Sequence, residues 1–271
     1  MEKKKNDQLT LAWPQESDWC DETDFWGQMN GILASFPVVT AEVLPGLKWG
    51  YHYQLYTPAF WKLQYLLNDF PVQESNHQLC DNLIEEIIMC LLGGYGIPSE
   101  MGIMAFDRLK QEGLISRKAD HDSILDALSR PFVGKSNKPV RYRFANQKAG
   151  YIYHFLNRED LCDIPSHNDL ALRKWLMGLR GIGPKTASWI TRNWLHSERV
   201  AILDIHILRA GILTGFFAKE LNVSNDYYHL EYQYLNFCKG IEVLPSNMDA
   251  IIWSYMKKNN KLALNILSST S

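Results

Sequence analysis

The sequence predicts a mainly α-helical globular protein, and three observations lead to this fold class. Of the 271 residues, 46% are hydrophobic and 21% are charged, which is enough apolar material for a sizeable core. Apolar residues recur with the helical period in most segments, whereas strand signals are weak. Helix-start signals and glycine-rich stops separate these segments. Such a composition excludes a disordered or a fibrous protein.

The helices follow from local start and stop signals. Thr57 supplies an N-cap and Pro58 a first-turn proline before a dense apolar run, and Gly93-Gly94 ends a later apolar stripe. The best strand signal is the mixed alternation of residues 49–56. Residues 1–25 lack periodicity, so residues 1–55 are predicted to form an N-terminal arm of uncertain structure. Helices are predicted over residues 59–67, 79–92, 101–111, 120–128 and 146–156.

The composition also argues against several classes of protein. The longest uncharged stretch, Ile87 to Ser99, is shorter than the roughly 20 residues that span a bilayer. The basic start is followed by polar Asn6 where a signal peptide would be apolar. Five scattered cysteines without a C-x-x-C pair argue against a disulfide framework, structural zinc or an iron–sulfur cluster. We therefore expect a cytoplasmic protein that has no membrane span, no metal site and no organic cofactor.

Charge is distributed unevenly along the chain. The formal net charge is -2, yet residues 1–129 carry 9 basic and 19 acidic side chains, whereas residues 130–199 carry 13 basic and 5 acidic ones. Residues 200–271 carry 6 of each. This asymmetry indicates either a basic face for a polyanion or a solvated helical surface. The motif inside the basic segment has to decide between the two.

Two helices joined by a glycine hairpin lie inside the basic segment. Apolar residues between 170 and 179 have the helical period, Gly181-Ile182-Gly183 interrupts it, and Pro184 begins a second helix that reaches residue 195. The glycines permit a sharp turn, and the unpaired N–H groups at the start of the second helix favour an anion. This predicts a phosphate-binding site, although G-x-G-P alone also suits an ordinary turn. The basic residues expected to surround it are Arg173, Lys174, Arg180 and Arg192.

The flanks of the hairpin carry a family resemblance. The segments 179–188 and 200–206 resemble the helix-hairpin-helix and catalytic Asp motif of the base-excision DNA glycosylase superfamily. Lys185 stands where bifunctional members carry their nucleophilic lysine. Asp204 lies 19 positions later, followed by His206, and this spacing is similar to that of the 8-oxoguanine DNA glycosylases. Iron–sulfur members have four clustered cysteines near the C-terminus, where this chain has only Cys238, so the resemblance is to the branch without a cluster.

The resemblance implies an all-α, two-lobed helix-hairpin-helix DNA glycosylase fold with the active site in the cleft between the lobes. Residues 56–78 and 197–271 would form a terminal-helix lobe, and residues 79–196 a central helical lobe that contains the helix-hairpin-helix at 169–195. The β-rich domain of eukaryotic members is not found. The implied partner is damaged double-stranded DNA. We expect a monomer, nucleoid-associated if prokaryotic, with at most a monovalent cation on the hairpin carbonyls.

Lys185 and Asp204 are the candidate catalytic residues. Cleavage of an N-glycosidic bond builds positive charge on the sugar, so a nearby carboxylate stabilises the transition state. Asp204 suits this role and is also a predicted helix N-cap, because it separates an apolar run from a helical segment. The resemblance implies that Lys185 attacks C1′ and forms a Schiff base, after which β-elimination nicks the strand. The alternatives are a plain cap and a solvated lysine or simple phosphate contact.

Three residues are candidates for binding the base. An enzyme that acts on a base within a duplex extrudes it and holds it against aromatic faces. Trp189 lies four residues after Lys185 on one helix face, and Asp249 and Trp253 have the same spacing on a later capped helix that begins near Ser246. In the family, a polar residue and an aromatic at this spacing bind the flipped purine, and a carboxylate suits the N1–H and exocyclic amine of guanine. A purely structural role is the alternative for each.

The remaining candidates contact the DNA backbone or the gap in the duplex. Gly181, Gly183, Arg180 and His206 are predicted phosphate contacts, although His206 equally suits a helix terminus. Tyr95 is the candidate wedge that fills the space left by the flipped base, with an ordinary inter-helix turn as the alternative. The expected function is a bifunctional glycosylase and AP lyase for 8-oxoguanine. The alternatives are the same chemistry on another modified base, such as a hypermodified base of phage DNA, and a non-catalytic DNA-binding module.

Overall fold

The structure, a computed structural model, describes residues 22–68, 78–94, 96–133 and 138–269. Within these ranges the chain forms twelve α-helices, one 3-10 helix and two short antiparallel hairpins. None of these helices has the length and apolar character needed to cross a lipid bilayer. The α-helices are α1 (Glu22–Ala34), α2 (Pro58–Leu67), α3 (Leu83–Leu92), α4 (Ser99–Gln111), α5 (His121–Ser129), α6 (Ala145–Leu156), α7 (Asp169–Leu176), α8 (Pro184–Leu195), α9 (Ile205–Thr214), α10 (Tyr227–Gly240), α11 (Pro245–Lys258) and α12 (Asn260–Ser269).

The strands are too short to contribute a layer to the fold. Strand β1 (Glu42–Leu44) pairs with β2 (Leu47–Lys48), and β3 (Phe132–Val133) pairs with β4 (Pro139–Val140). A 3-10 helix spans Glu159–Asp163. The predicted α-helical fold class is therefore confirmed.

Side-chain caps explain where several helices begin. Thr57 Oγ1 accepts from the backbone N–H of Phe60 at 3.1 Å, and Asp120 Oδ1 accepts from that of Ser123 at 2.8 Å. Asn82 caps α3 in the same way, so this helix begins four residues later than the apolar stripe predicts. The other four predicted helices are confirmed to within two residues at each end.

The N-terminal region differs from the sequence prediction in two ways. The predicted strand at 49–56 is wrong, because Trp49 and Tyr56 are both buried while the segment between them forms turns. The hydroxyl of Thr57 donates to Tyr51 O at 2.7 Å and to Gln54 O at 3.0 Å, which holds these turns in place. Part of the predicted arm is also regular, since α1 and the first hairpin lie within it. Residues 1–21 lie outside the described residues.

Buried apolar side chains form two separate clusters. One, here called the central core, lies between Leu83 and Ile190 and is built from α3 to α8. The other, the terminal core, combines residues 49–61 with buried side chains of α9 to α12 and the segments that connect them. The chain leaves the terminal core after Trp61, builds the central core from Leu83 to Ile190 and returns to the terminal core at Ala201. The lobe boundaries drawn from the sequence stay a prediction.

Gly211 is a position in α9 where the fold requires the absence of a side chain. A Cβ there would lie 2.1 Å from Cδ2 of Phe217, which is buried in the terminal core. We predict that Gly211→Ala lowers the free energy of unfolding by about 1–3 kcal/mol, because the buried ring cannot move away without repacking. Gly150→Ala in α6 is the matched control, since no atom lies within 4 Å of its added Cβ. It should stabilise the protein by about 0.5–1 kcal/mol. Urea unfolding of both variants measures these changes, and equal stability would contradict the packing argument.

Candidate active site

The helix-hairpin-helix is formed by α7, a turn and α8. The first helix ends at Leu176 rather than reaching residue 179 as predicted, because residues 177–180 turn away from it. Gly181 then adopts a φ of +87°, in the left-handed region that favours glycine. Pro184 occupies the first turn of α8, and no side chain caps this helix start. The N–H groups at the start of α8 therefore remain available to an anion.

Tyr151 of α6 supports the hairpin from behind, and sequence reasoning did not identify it. A Cβ on Gly181 would lie 2.3 Å from Cδ2 of Tyr151, so the ring leaves room for glycine only. Arg180 Nη1 donates to His154 Nε2 at 3.0 Å, which joins the hairpin to the same helix. Lys148, also on α6, donates to Gly93 O at 3.0 Å. Helix α6 thus connects the hairpin to the loop after α3, in which the candidate wedge Tyr95 lies outside the described residues.

Lys185 and Asp204 are brought together as the sequence predicts. Lys185 Nζ lies 3.8 Å from Asp204 Oδ2, and the exposed fractions of the two side chains are 46% and 14%. Asp204 is confirmed as the N-cap of α9, because its Oδ1 accepts from the backbone N–H groups of His206 at 2.8 Å and Ile207 at 3.1 Å. One carboxylate oxygen therefore orients the residue, while the other faces the lysine.

Buried polar groups hold the segment that leads to Asp204. Glu231 Oε1 accepts from the backbone N–H of Ala201 at 2.9 Å. The hydroxyl of Tyr227 donates to Ala201 O at 2.7 Å and accepts from the N–H of Leu203 at 3.3 Å. Burial raises the pKa of Tyr227, so its hydroxyl keeps the proton that it donates. The main chain is thus held on both sides immediately before the catalytic candidate.

His206 and Trp253 form one edge of the site. Their ring centroids lie 6.4 Å apart with nearly perpendicular planes, and Lys257 Nζ lies 4.3 Å from the Trp253 ring centroid. Trp253 is 43% exposed, so it is not the core residue that the alternative interpretation proposed. Trp189 is half-buried, and its predicted position beside Lys185 stays a prediction.

Asp249 has a partner that the sequence interpretation missed. Its carboxylate is buried, and Arg192 Nη1 donates to Oδ1 at 2.6 Å and to Oδ2 at 2.8 Å. Contact between Asp249 and a base stays a prediction, and in this structure both carboxylate oxygens are bonded to Arg192. The signal that could have identified the pair is the placement of an arginine on the hydrophobic face of α8, seven residues after Lys185.

Two of the basic residues expected around the hairpin are instead directed into the protein. Arg192 is 7% exposed and bonded to Asp249. Arg173 Nη1 lies 2.6 Å from Glu231 Oε1 and is also largely buried. Both were wrongly predicted to line the phosphate site, because residue counting along the chain does not reveal which face of a helix is covered. Lys174 and Arg180 are exposed, and for these two residues the prediction stays open.

The start of α11 also differs from the prediction. The helix begins at Pro245 after Leu244, without a side-chain cap. Ser246 is bonded to Glu198 instead, through both its hydroxyl and its backbone N–H, the latter at 2.9 Å from Glu198 Oε2. Among the described residues, no group of three or more His, Cys, Asp or Glu side chains is arranged to hold a metal ion.

Three solved structures of other proteins are similar to this chain in fold and share less than a quarter of its sequence. The structure of the 8-oxoguanine DNA glycosylase of Methanocaldococcus jannaschii has a TM-score of 0.52 and 22% sequence identity to this chain. The match covers 75% of this chain and 96% of that one. The M. jannaschii 8-oxoguanine glycosylase/lyase in complex with a 15mer DNA containing 8-oxoguanine has a TM-score of 0.48 and 22% identity. This match covers 74% of this chain and 89% of that one. The 8-oxoguanine DNA glycosylase of Thermotoga maritima has a TM-score of 0.47 and 23% identity, and the match covers 65% of this chain and 79% of that one.

A family model gives the assignment that these distant structures do not give alone. No curated protein matches the chain. The model described as Ogg-HhH, 8-oxoguanine DNA glycosylase, matches residues 65–243. This range is well over half of the chain and contains the hairpin, Lys185 and Asp204. The chain belongs to the helix-hairpin-helix family of 8-oxoguanine DNA glycosylases.

Proposed function

We propose that this protein is a bifunctional DNA glycosylase and AP lyase that excises 8-oxoguanine from duplex DNA in base excision repair. The observation that carries the proposal is the separation of 3.8 Å between Lys185 Nζ and Asp204 Oδ2 at the start of α9. The family assignment supports the glycosylase activity, and the exposed amine of Lys185 supports the lyase step.

The chemistry uses the two side chains in different ways. Lys185 attacks C1′ through the lone pair of its neutral amine, while the bond from C1′ to the base breaks and the base departs with the bonding electrons and gains a proton. Asp204 stabilises the positive charge that develops on the sugar. The attached amine loses a proton, the C1′–O4′ bond breaks and O4′ gains a proton, so the sugar ring opens and a protonated Schiff base forms at C1′. This Schiff base then loses a C2′ proton, and the C3′–O bond breaks by β-elimination with departure of the 3′ phosphate. Half of the lysine side chain is accessible, as attack on a DNA sugar requires.

The surroundings of this pair support binding of a DNA strand. The hairpin presents the uncapped start of α8 to a phosphate group, beside exposed Arg180. Residues 130–157 contain six Lys or Arg residues and no Asp or Glu. Helix α6, which lies in this range, packs against the hairpin through Tyr151. On the other edge, the half-exposed Trp253 ring is available to stack on an extruded base.

We predict that Lys185→Gln abolishes strand cleavage of a duplex containing 8-oxoguanine and leaves binding of that duplex within about threefold. The amide cannot form a Schiff base, while the hairpin contacts stay intact. The measurement is borohydride trapping on duplexes that contain 8-oxoguanine, an abasic site or neither. A covalent complex with wild type that is lost in Lys185→Gln is expected.

Other outcomes would redirect the proposal. Trapping on the abasic duplex alone would support the lyase activity but exclude 8-oxoguanine as the substrate. A panel of duplexes with other modified bases would then identify the substrate. Normal cleavage by Lys185→Gln would contradict the assignment of the nucleophile. Absence of trapping on every duplex would contradict the lyase activity.

Asp204 can be tested without loss of the helix cap. We predict that Asp204→Asn preserves the thermal midpoint, because asparagine caps helices as well as aspartate does, and slows base excision by about 100-fold or more because the charge is lost. Asp204→Ala removes both functions and should also lower the free energy of unfolding by about 1 kcal/mol. Excision by Asp204→Asn at the wild-type rate would show that Asp204 is a cap only.

The hairpin offers a third test through its two glycines. Gly181→Ala should lower both stability and affinity for duplex DNA, because the residue has a positive φ and its Cβ would overlap the Tyr151 ring. Gly183→Ala has open space at its Cβ and should leave stability unchanged. Thermal unfolding and gel-shift titration separate the two effects. Wild-type affinity in Gly181→Ala would exclude the hairpin from the DNA contact.

A further inference from the structure

One buried carboxylate contacts both parts of the chain that supply the catalytic pair. Asp249, on α11, accepts two short hydrogen bonds from Arg192, which belongs to the same helix as Lys185. The backbone N–H of Ile202, two residues before Asp204, is close enough to this carboxylate to lower its pKa. Asp249 therefore joins the helix of the lysine to the segment of the aspartate through a single side chain.

The position of Arg192 along α8 makes this contact mechanically relevant to Lys185. The two residues are separated by seven positions, which places them on the same helix face, about 10 Å apart along the axis. At the other end of this face, Lys185 Nζ lies 3.8 Å from Asp204 Oδ2. Helices move as rigid units over such lengths, so a shift at Arg192 is transmitted to Lys185.

Helix α11 completes the connection on the opposite side. It packs along α9, whose first turn begins directly after Asp204, and its Trp253 ring contacts His206 in that turn. Helix α8 therefore contacts the start of α9 through Lys185 and contacts α11 through Arg192, while α11 packs against α9.

We propose that Arg192 and Asp249 are positioning residues for the Schiff-base chemistry, and that their buried ion pair sets the separation of Lys185 from Asp204. The inference rests on the proposed function and deepens it. It differs from a role for Asp249 in base recognition, because positioning of the lysine matters even when no base is present. An abasic duplex therefore distinguishes the two roles.

The charged and titratable groups around Asp249 make this ion pair sensitive to pH near neutrality. Burial raises the pKa of Asp249 to about 7, against the opposing effect of Arg192, and Glu198 raises it further. Burial also raises the pKa values of Tyr234 and Cys238 on α10, so these groups stay neutral. Below about pH 7 Asp249 gains a proton and the pair loses its charge attraction. The ion pair is consequently present above this pH and lost as the pH falls through it.

The first test measures cleavage of an abasic duplex by Asp249→Asn under single-turnover conditions. We expect the rate to fall by about tenfold to 100-fold, because a displacement of about 1 Å between reacting groups has effects of this size. DNA affinity should change by less than about threefold. Abasic cleavage at the wild-type rate, with slow excision of 8-oxoguanine, would overturn the proposal in favour of base recognition.

The second test uses the pH profile, which a general loss of stability would not shift. Cleavage by Arg192→Met should be slow at every pH and should lack the fall in rate that wild type shows as the pH drops through about 7, because no ion pair remains for the protonation of Asp249 to break. Arg192→Lys retains a cation and should restore the wild-type midpoint. Arg130→Met is the control, since it removes the guanidinium of an ion pair with Glu112 that has no contact with the site. It should leave the rate and the pH profile of cleavage unchanged.

The outcomes separate this inference from the proposed function. Failure of wild type to cleave an abasic duplex would contradict the proposed lyase itself. Cleavage by wild type, together with an unchanged rate and pH profile in Arg192→Met, would overturn the positioning role alone. If Asp249→Asn does not fold, the comparison of Arg192→Met with Arg192→Lys decides the question.

Discussion

The arrangement of the site depends on ion pairs that run from the helix-hairpin-helix to the terminal core. Arg173 of α7 and Arg192 of α8 are bonded to Glu231 and Asp249, which belong to α10 and α11. A buried charge that loses its partner is costly, so these pairs favour one relative placement of the two cores over others. Lys185 and Asp204 form a third pair of the same kind, but an accessible one. The buried pairs hold the helices in place, and the accessible pair is available for the proposed chemistry.

Asp204 illustrates how a structural requirement and a chemical one meet in a single residue. Helix α9 needs a cap, and one carboxylate oxygen provides it through two backbone N–H groups. The second oxygen faces Lys185, where positive charge develops in the proposed reaction. Tyr227 and Glu231 hold the preceding main chain, so the free oxygen occupies a defined position. Preorganisation of this type stabilises a transition state without rearrangement during the reaction.

Local sequence signals predicted much of the fold and the centre of the site. Caps such as Thr57 and Asp120 act over three residues, so they can be identified without tertiary information. The pairing of Lys185 with Asp204 followed from the family motif. The turns between Trp49 and Tyr56 were not predicted. In a strand, residues seven positions apart lie on opposite faces, yet here both aromatic side chains are buried.

The remaining errors concern contacts between distant segments. Net charge along the chain suggested that Arg173 and Arg192 face a phosphate, yet their partners lie 58 and 57 positions further along the chain. The same limit applies to Tyr151, whose role depends on the approach of α6 to Gly181. Part of the basic charge of residues 130–199 therefore neutralises the protein's own carboxylates, and part, including Arg180, stays on the surface.

The proposed dependence of the Lys185–Asp204 geometry on the buried ion pair can be measured in crystal structures of wild type and Asp249→Asn at the same pH. The measured quantity is the distance between Lys185 Nζ and Asp204 Oδ2, which is 3.8 Å here. We predict that this distance lengthens by about 1 Å or more in the variant, with α8 displaced relative to α9. An unchanged distance in a variant that cleaves abasic DNA slowly would contradict it.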